Sequence, residues 1–301
     1  MTMLTPGPRA HELPAVSHDP TPERVLLATD GGLAGVAAIR WLADRARRHA
    51  LRVEIVHVVP AVDGGRDDRS DPRYLAATGS GQQAQEMLQR LAPETRVQLA
   101  VEHGEPIPTI QRRAEAADLV VVGTRRTPDG PPHFTASFAT RLAEAGSRPT
   151  IVVPRGWERS DGPVVVGVED DGSDTPAIEF AAREAETLGR DLVLVHAWRL
   201  AAVVSPAITV DLDRHALEVE ASARLSDVAD RVRRAHPALR IAPVFGHDEP
   251  VHALVVAGRG ASLVVVGTHG LGVIDRLLLR SVSRGVLERP SCPIAVVPVE
   301  A

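Results

Sequence analysis

Short apolar runs closed by glycine or a polar turn alternate along this chain with stretches whose apolar positions recur every three or four residues. Val25-Leu26-Leu27-Ala28-Thr29 ends at Asp30-Gly31-Gly32, and then Val36, Ile39, Leu42 and Ala43 follow at helical spacing. The runs predict strands at 25–29, 53–59, 97–101, 119–122 and 150–153, buried on both faces as in a parallel sheet. Between them the spacing predicts a helix over Gln83 to Leu91, one opened by Pro106, and a short one around Phe138, Leu142 and Ala143. Residues 60–80 and 127–133, rich in Gly, Pro and polar residues, read as loops. The pattern restarts after a polar linker, Arg155 to Gly162. Strands are expected at 164–168, 192–196, 240–245, 263–266 and 294–297, and helices over Ala177 to Ala185 and at 212–234, 251–257 and 281–287, with a loop over 199–210. Alternating strands and helices imply right-handed β-α-β units, five strands to each half. Residues 1–21, with prolines and little periodicity, read as a flexible tail; 22–157 and 158–301 read as two domains.

The halves are copies. Leu119-Val120-Val121-Val122-Gly123-Thr124 recurs as Leu263-Val264-Val265-Val266-Gly267-Thr268, an offset of 144 residues. In the second copy Gly267 and Gly270 form G-x-x-G, and Arg280-Ser281-Val282 follows after nine intervening residues, where a helix is expected to start. A buried strand thus feeds a glycine-bearing loop and a hydroxyl at a helix start, a geometry that lets phosphate oxygens approach backbone N–H groups. In the first copy Arg126 stands at the place of Gly270 and Ala136 at that of Arg280, while Gly123 and Ser137 are kept.

Composition narrows the classes. With 34 Lys and Arg against 39 Asp and Glu, the net charge is −5, which argues against a nucleic-acid binder. The lone Cys292 permits no intrachain disulfide and fits a reducing compartment. The apolar runs are strand-sized, and the N-terminus lacks a basic segment leading into a long apolar one. A cytoplasmic protein without membrane association is the expectation.

In order and in duplicate, the motifs resemble the universal stress protein family in a tandem two-domain form. They are Asp30-Gly31-Gly32, Val56-His57-Val58, Val195-His196-Ala197-Trp198, Ala117-Asp118-Leu119 to Gly123, Ala261-Ser262-Leu263 to Gly267, Ser281-Val282-Ser283 and Cys292-Pro293. The resemblance implies two doubly wound α/β domains, each a five-stranded parallel sheet in order 3-2-1-4-5, adenine nucleotide alpha hydrolase-like. It implies a bound adenine nucleotide, ATP or AMP, with Mg²⁺ as a companion of ATP. The phosphates would lie on Gly267, Thr268, Gly270, Arg280, Ser281 and Val282. The adenine would lie against Ala197 and one of Glu169, Asp170 or Asp171. The corresponding first-copy residues are Asp30, Val58, Gly123 and Ser137. Arg280 replaces the family's last glycine, so its side chain either blocks the phosphate or clamps it. In strand order 3-2-1-4-5 the first and fourth strands are neighbours whose connections leave to opposite sides, and ligands bind in that crevice.

Each of these residues also suits a plainer role. The glycines suit a tight turn, Asp30 could cap the first helix, and His57 and His196 suit structural roles at the ends of buried strands. Ser137 and Ser281 lie in no G-x-S-x-G elbow, and there is no Walker motif, so a binder rather than an enzyme is expected. The fifth strands, closed by Pro154 and Pro298, would be exposed apolar edges. The resemblance implies that they pair across a two-fold axis, making the chain an intramolecular pseudo-dimer with room for a further homodimer. The rival expectation is a nucleotide-free protein-interaction scaffold with decayed sites.

Overall fold

Ten strands and eight helices alternate through the described residues. The computed structural model describes residues 21–60, 69–126, 137–169, 172–197, 214–268 and 282–299. The expected tail and the loops at 127–133 and 199–210 lie outside them. The first repeat runs β1 (Glu23–Ala28), α1 (Leu33–Arg45), β2 (Leu51–Val59), α2 (Pro72–Leu91), β3 (Arg96–His103), α3 (Pro106–Ala114), β4 (Leu119–Thr124), α4 (Phe138–Ala145) and β5 (Thr150–Pro154). The second runs β6 (Val164–Gly167), α5 (Thr175–Leu188), β7 (Leu192–Ala197), α6 (Arg214–Ala235), β8 (Ile241–Gly246), α7 (Pro250–Ala257), β9 (Leu263–Thr268), α8 (Val282–Leu287) and β10 (Ile294–Pro298).

The strands form one sheet in order β3-β2-β1-β4-β5-β10-β9-β6-β7-β8. Within each repeat the order is 3-2-1-4-5 and every pairing is parallel. Only β5 and β10 meet antiparallel, Val152 opposite Ile294 and Thr150 opposite Val296. The strands of one repeat therefore point opposite to those of the other. The continuous apolar runs are explained by burial on both faces. One layer joins β1, β4 and β9 side chains to α1, α2, α5 and α6. The other packs α3, α4, α7 and α8 against the opposite face. Each layer crosses the seam, so the two repeats share their core.

Polar groups lock the seam as well. Arg45 of α1 is 6% exposed and donates to Glu23 at 2.7 and 2.9 Å and to Glu184 of α5 at 2.7 and 2.8 Å. One guanidinium thus holds a carboxylate from each repeat, in the bidentate geometry that suits arginine. On the other face Arg284 of α8 lies 3.3 Å from Glu144 of α4. The linker is held to the second repeat by Ser160, whose Oγ donates to the Gly260 carbonyl.

The expected loop over 60–80 is corrected: α2 begins at Pro72, eleven residues before Gln83. Asp71 starts it, its carboxylate accepting from the Arg73 N–H at 2.8 Å, and proline at the first helical position suits that end. Gly79-Ser80-Gly81 reads as a breaker yet lies mid-helix. The reason at Gly81 is contact, since a Cβ there would come 2.5 Å from Leu99 of β3.

Candidate nucleotide crevices

The carboxyl ends of β1 and β4, and of β6 and β9, are adjacent, with Ala28 opposite Val122 and Val166 opposite Val265. Each pair is flanked by the second strand of its repeat, with Ala28 opposite Val56 and Gly167 opposite Val195. Asp30, Val58 and Gly123 therefore lie around one crevice. Glu169, Ala197, Gly267 and Thr268 lie around the other.

In the first repeat the described residues pack closely at both glycines of the crevice. Gly31 turns the chain at φ +77°, a conformation that favours glycine, and Ser80 of α2 presses on it. A Cβ on Gly31 would meet the Ser80 Cβ at 2.6 Å. The Asp30 carboxylate accepts from the Gly32 N–H at 2.9 Å, a turn just ahead of the helix. Gly32, not Asp30, is the N-cap of α1, so the capping expectation is corrected. Ser80 Oγ donates to the Ala77 carbonyl at 3.0 Å, which leaves it to accept from His57 Nδ1–H at 3.3 Å. Burial lowers the His57 pKa against the opposing pull of Asp30, so the imidazole is neutral at pH 7. Val58 is half-buried. Ser137 caps α4, its Oγ accepting from the Thr140 N–H at 3.1 Å.

Gly123 explains how tightly this crevice closes. A Cβ there would sit 2.0 Å from the Ala34 carbonyl oxygen in the first turn of α1. The helix lies against the end of β4 with no room for a side chain. At Gly267, the counterpart, the nearest atom to such a Cβ among the described residues is Ala177 Cβ at 3.8 Å, an ordinary contact. Gly123→Ala should therefore cost about 1–3 kcal/mol through overpacking, whereas Gly267→Ala should leave stability nearly unchanged. Urea unfolding of the two variants checks this; equal losses would contradict it.

The second crevice differs in its acidic turn. The Val168 N–H donates to the Val195 carbonyl just as the Thr29 N–H does to Val56, which puts Glu169 in the place of Asp30. Gly172, however, has φ +77°, the same as Gly31, and its predecessor is Asp171. The second repeat thus carries two extra residues between ladder and turn. The Glu169 N–H donates to the Asp174 carboxylate at 2.6 Å, and Asp174 is only 5% exposed. Sequence reasoning passed over Asp174; its signal was an acid immediately before Thr175-Pro176, a helix-start pattern. His196 is buried and its Nδ1–H donates to the Val168 carbonyl at 2.8 Å, with its ring stacked on Phe245 at 5.7 Å. It ties β7 to the end of β6, a structural role. Ala197, Gly267 and Thr268 are half-buried at strand ends, and Val282 opens α8, also half-buried. Asp170, Asp171, Gly270, Arg280 and Ser281 lie outside the described residues.

Other chemistry is limited. Burial pushes the Cys292 thiol up to about 12, so it stays protonated at neutral pH. Among the described residues no group of three His, Cys, Asp or Glu could hold a metal ion, and no helix is long and apolar enough to cross a membrane.

A strand order of 3-2-1-4-5 repeated in tandem, with glycines at the ends of the fourth strands and acidic residues after each first strand, defines a duplicated doubly wound α/β fold with a crevice in each repeat. The sequence model of the universal stress protein family matches residues 22–154 and again 162–298, and the chain belongs to that family. It is 27% identical over 285 residues to universal stress protein Rv2005c of Mycobacterium tuberculosis, covering 90% of this chain and 96% of that one. A second protein of that organism, universal stress protein Rv1996, is 26% identical over 299 residues, with coverages of 90% and 94%. Among solved structures, a universal stress protein from Archaeoglobus fulgidus superposes with a TM-score of 0.68 at 14% identity, covering 92% of this chain and 96% of that one. That likeness concerns the fold.

Proposed function

We propose that the chain binds one adenine nucleotide, ATP or AMP, in its second repeat, and acts as a cytoplasmic stress-response or signalling protein without turnover. The observation that carries this reading is the contrast between Gly123, closed off by Ala34, and Gly267, where nothing among the described residues would come within 3.8 Å of a Cβ. Backbone approach to a phosphate needs that space. The sequence agrees, because only the second copy keeps G-x-x-G, at Gly267 and Gly270, ahead of Ser281. In the resulting picture the backbone at Gly267 and Gly270 and the Ser281 hydroxyl hold the phosphates. Ala197 borders the adenine, and the acid meeting it is Glu169 or Asp171, the two positions that share the place of Asp30. Mg²⁺ would accompany ATP through the phosphates. The β5–β10 pairing makes the chain an internal counterpart of a two-fold dimer.

A second reading, a nucleotide-free interaction scaffold, is favoured by Arg280 in place of glycine and by the closely packed first crevice. Calorimetry with ATP separates the two. We expect a stoichiometry near one; no heat from folded protein supports the scaffold, and a value near two refutes the asymmetry. Ser281→Ala should weaken binding roughly tenfold by removing a charge-assisted hydrogen bond, while Ser137→Ala should leave it unchanged.

A further inference from the structure

A second recess lies away from both crevices, where the C-terminal ends of α1 and α5 meet the linker and the start of β9. It encloses about 540 Å³, including the space open to solvent. Both repeats and the linker contribute walls: Trp41 and His49 from the first, Trp157, Arg159 and Ser160 from the linker, Leu188 from the second. Junctions between domains are common places for small-molecule sites.

The polar groups facing it are unequally engaged. Arg45 is saturated by Glu23 and Glu184. Arg48 donates to Asp44 at 2.9 Å, and Arg190 pairs with Asp161. Arg159 is different: its nearest carboxylates, Asp44 and Asp161, stand at 3.7 and 3.8 Å, beyond hydrogen-bonding distance. His49 Nε2 is buried without a hydrogen-bond partner. Burial, together with the Arg45 charge, lowers the pKa of His49, so at pH 7 its ring is a neutral group able to donate one N–H. Trp157 and the loosely held Arg159 guanidinium thus line one recess, with the Trp41 ring, which carries the Arg45 guanidinium at 5.5 Å, and the enclosed His49 imidazole behind them.

We infer that this recess is a binding site for a small planar aromatic carboxylate, its carboxylate on Arg159 and its ring against Trp157. A guanidinium matches a carboxylate bidentately, and indole faces favour a flat ring. A single negative charge suits the site better than a phosphate, because Asp44 and Glu184 also line it. Since the walls come from both repeats, the ligand binds only the docked pair and stabilises the docked state by mass action. The site is therefore a property of the fused chain, which supplies the linker residues.

Benzoate is the probe. Titrated into the full-length chain, it should give saturable heat and raise the melting temperature, and ATP should not displace it. Arg159 is 48% exposed, so Arg159→Gln should keep the fold, verified by circular dichroism, and weaken benzoate binding about tenfold. Arg159→Lys should retain part of the affinity. Absence of saturation up to about 10 mM benzoate overturns the assignment, as do unaltered binding by a folded Arg159→Gln variant, displacement by ATP, and equal binding of inorganic phosphate. None of these outcomes depends on the nucleotide reading, which concerns the ends of β6 and β9.

Discussion

Val296→Asp should break the protein at its seam. Val296 is fully buried in β10, opposite Thr150 of β5 on one side and Val266 of β9 on the other. A carboxylate there has no partner among the apolar side chains of that layer. Burying an unpaired charge costs several kcal/mol, against a typical total stability of about 5–15 kcal/mol. The chain escapes that cost only by parting β5 from β10 or by unfolding. Gel filtration and thermal melting should show an expanded or unfolded species. Val244→Asp, on the outer strand β8 at 45% exposure, is the control and should change little. Residues 22–157 and 158–301 expressed separately expose the same edge, so they should self-associate or precipitate while the full chain stays soluble. Monomeric halves, or a Val296→Asp protein with unaltered melting, would show that the seam is dispensable.

The second large effect is expected at Arg45. Burial alone would lower its pKa, but Glu184 and Glu23 more than offset that and hold it firmly charged. Arg45→Met leaves these two carboxylates facing each other across the repeats. The loss should be about 3–5 kcal/mol, the range for removing one partner of a buried ion pair. Adding Glu23→Gln and Glu184→Gln should restore much of it, since the pair's desolvation cost then disappears with its attraction. Urea unfolding of the single and triple variants measures both. A single variant as stable as the parent would mean that water reaches the cluster and screens it.

Much of this architecture could be read from residue order. Buried apolar runs such as those at 119–122 and 263–266 suit parallel strands covered on both sides, and that requires helices between them. The start of α2 was not legible, because Gly79, Ser80 and Gly81 each disfavour helix when judged locally. Ser80 packs against Gly31 and Gly81 against Leu99, reasons no local rule contains, while Gly79 has no such contact. The crevices could be placed because acidic turns and glycines end neighbouring strands. Their difference could be read only in part. Arg126 against Gly270 is visible in the sequence, but the approach of the Ala34 carbonyl to Gly123 is a distance between elements far apart in the chain. The acidic run at 169–171 is equally ambiguous in sequence, and the two structural markers divide it: the hydrogen-bond ladder puts Glu169 in the place of Asp30, the φ of Gly172 puts Asp171 there.

The lone antiparallel junction has a consequence for how such a chain can diverge. With β5 and β10 running oppositely, the carboxyl ends of the two repeats' strands lie at opposite edges of the sheet. In an association of two identical chains any substitution enters both edges at once, and the strand that joins them cannot be altered apart from its twin. Fusion removes that constraint. Arg126 stands in one copy where Gly270 stands in the other, and Ile151 faces Ala295 instead of a second isoleucine. The shared strands preserve the shape, and each end is free to acquire its own chemistry.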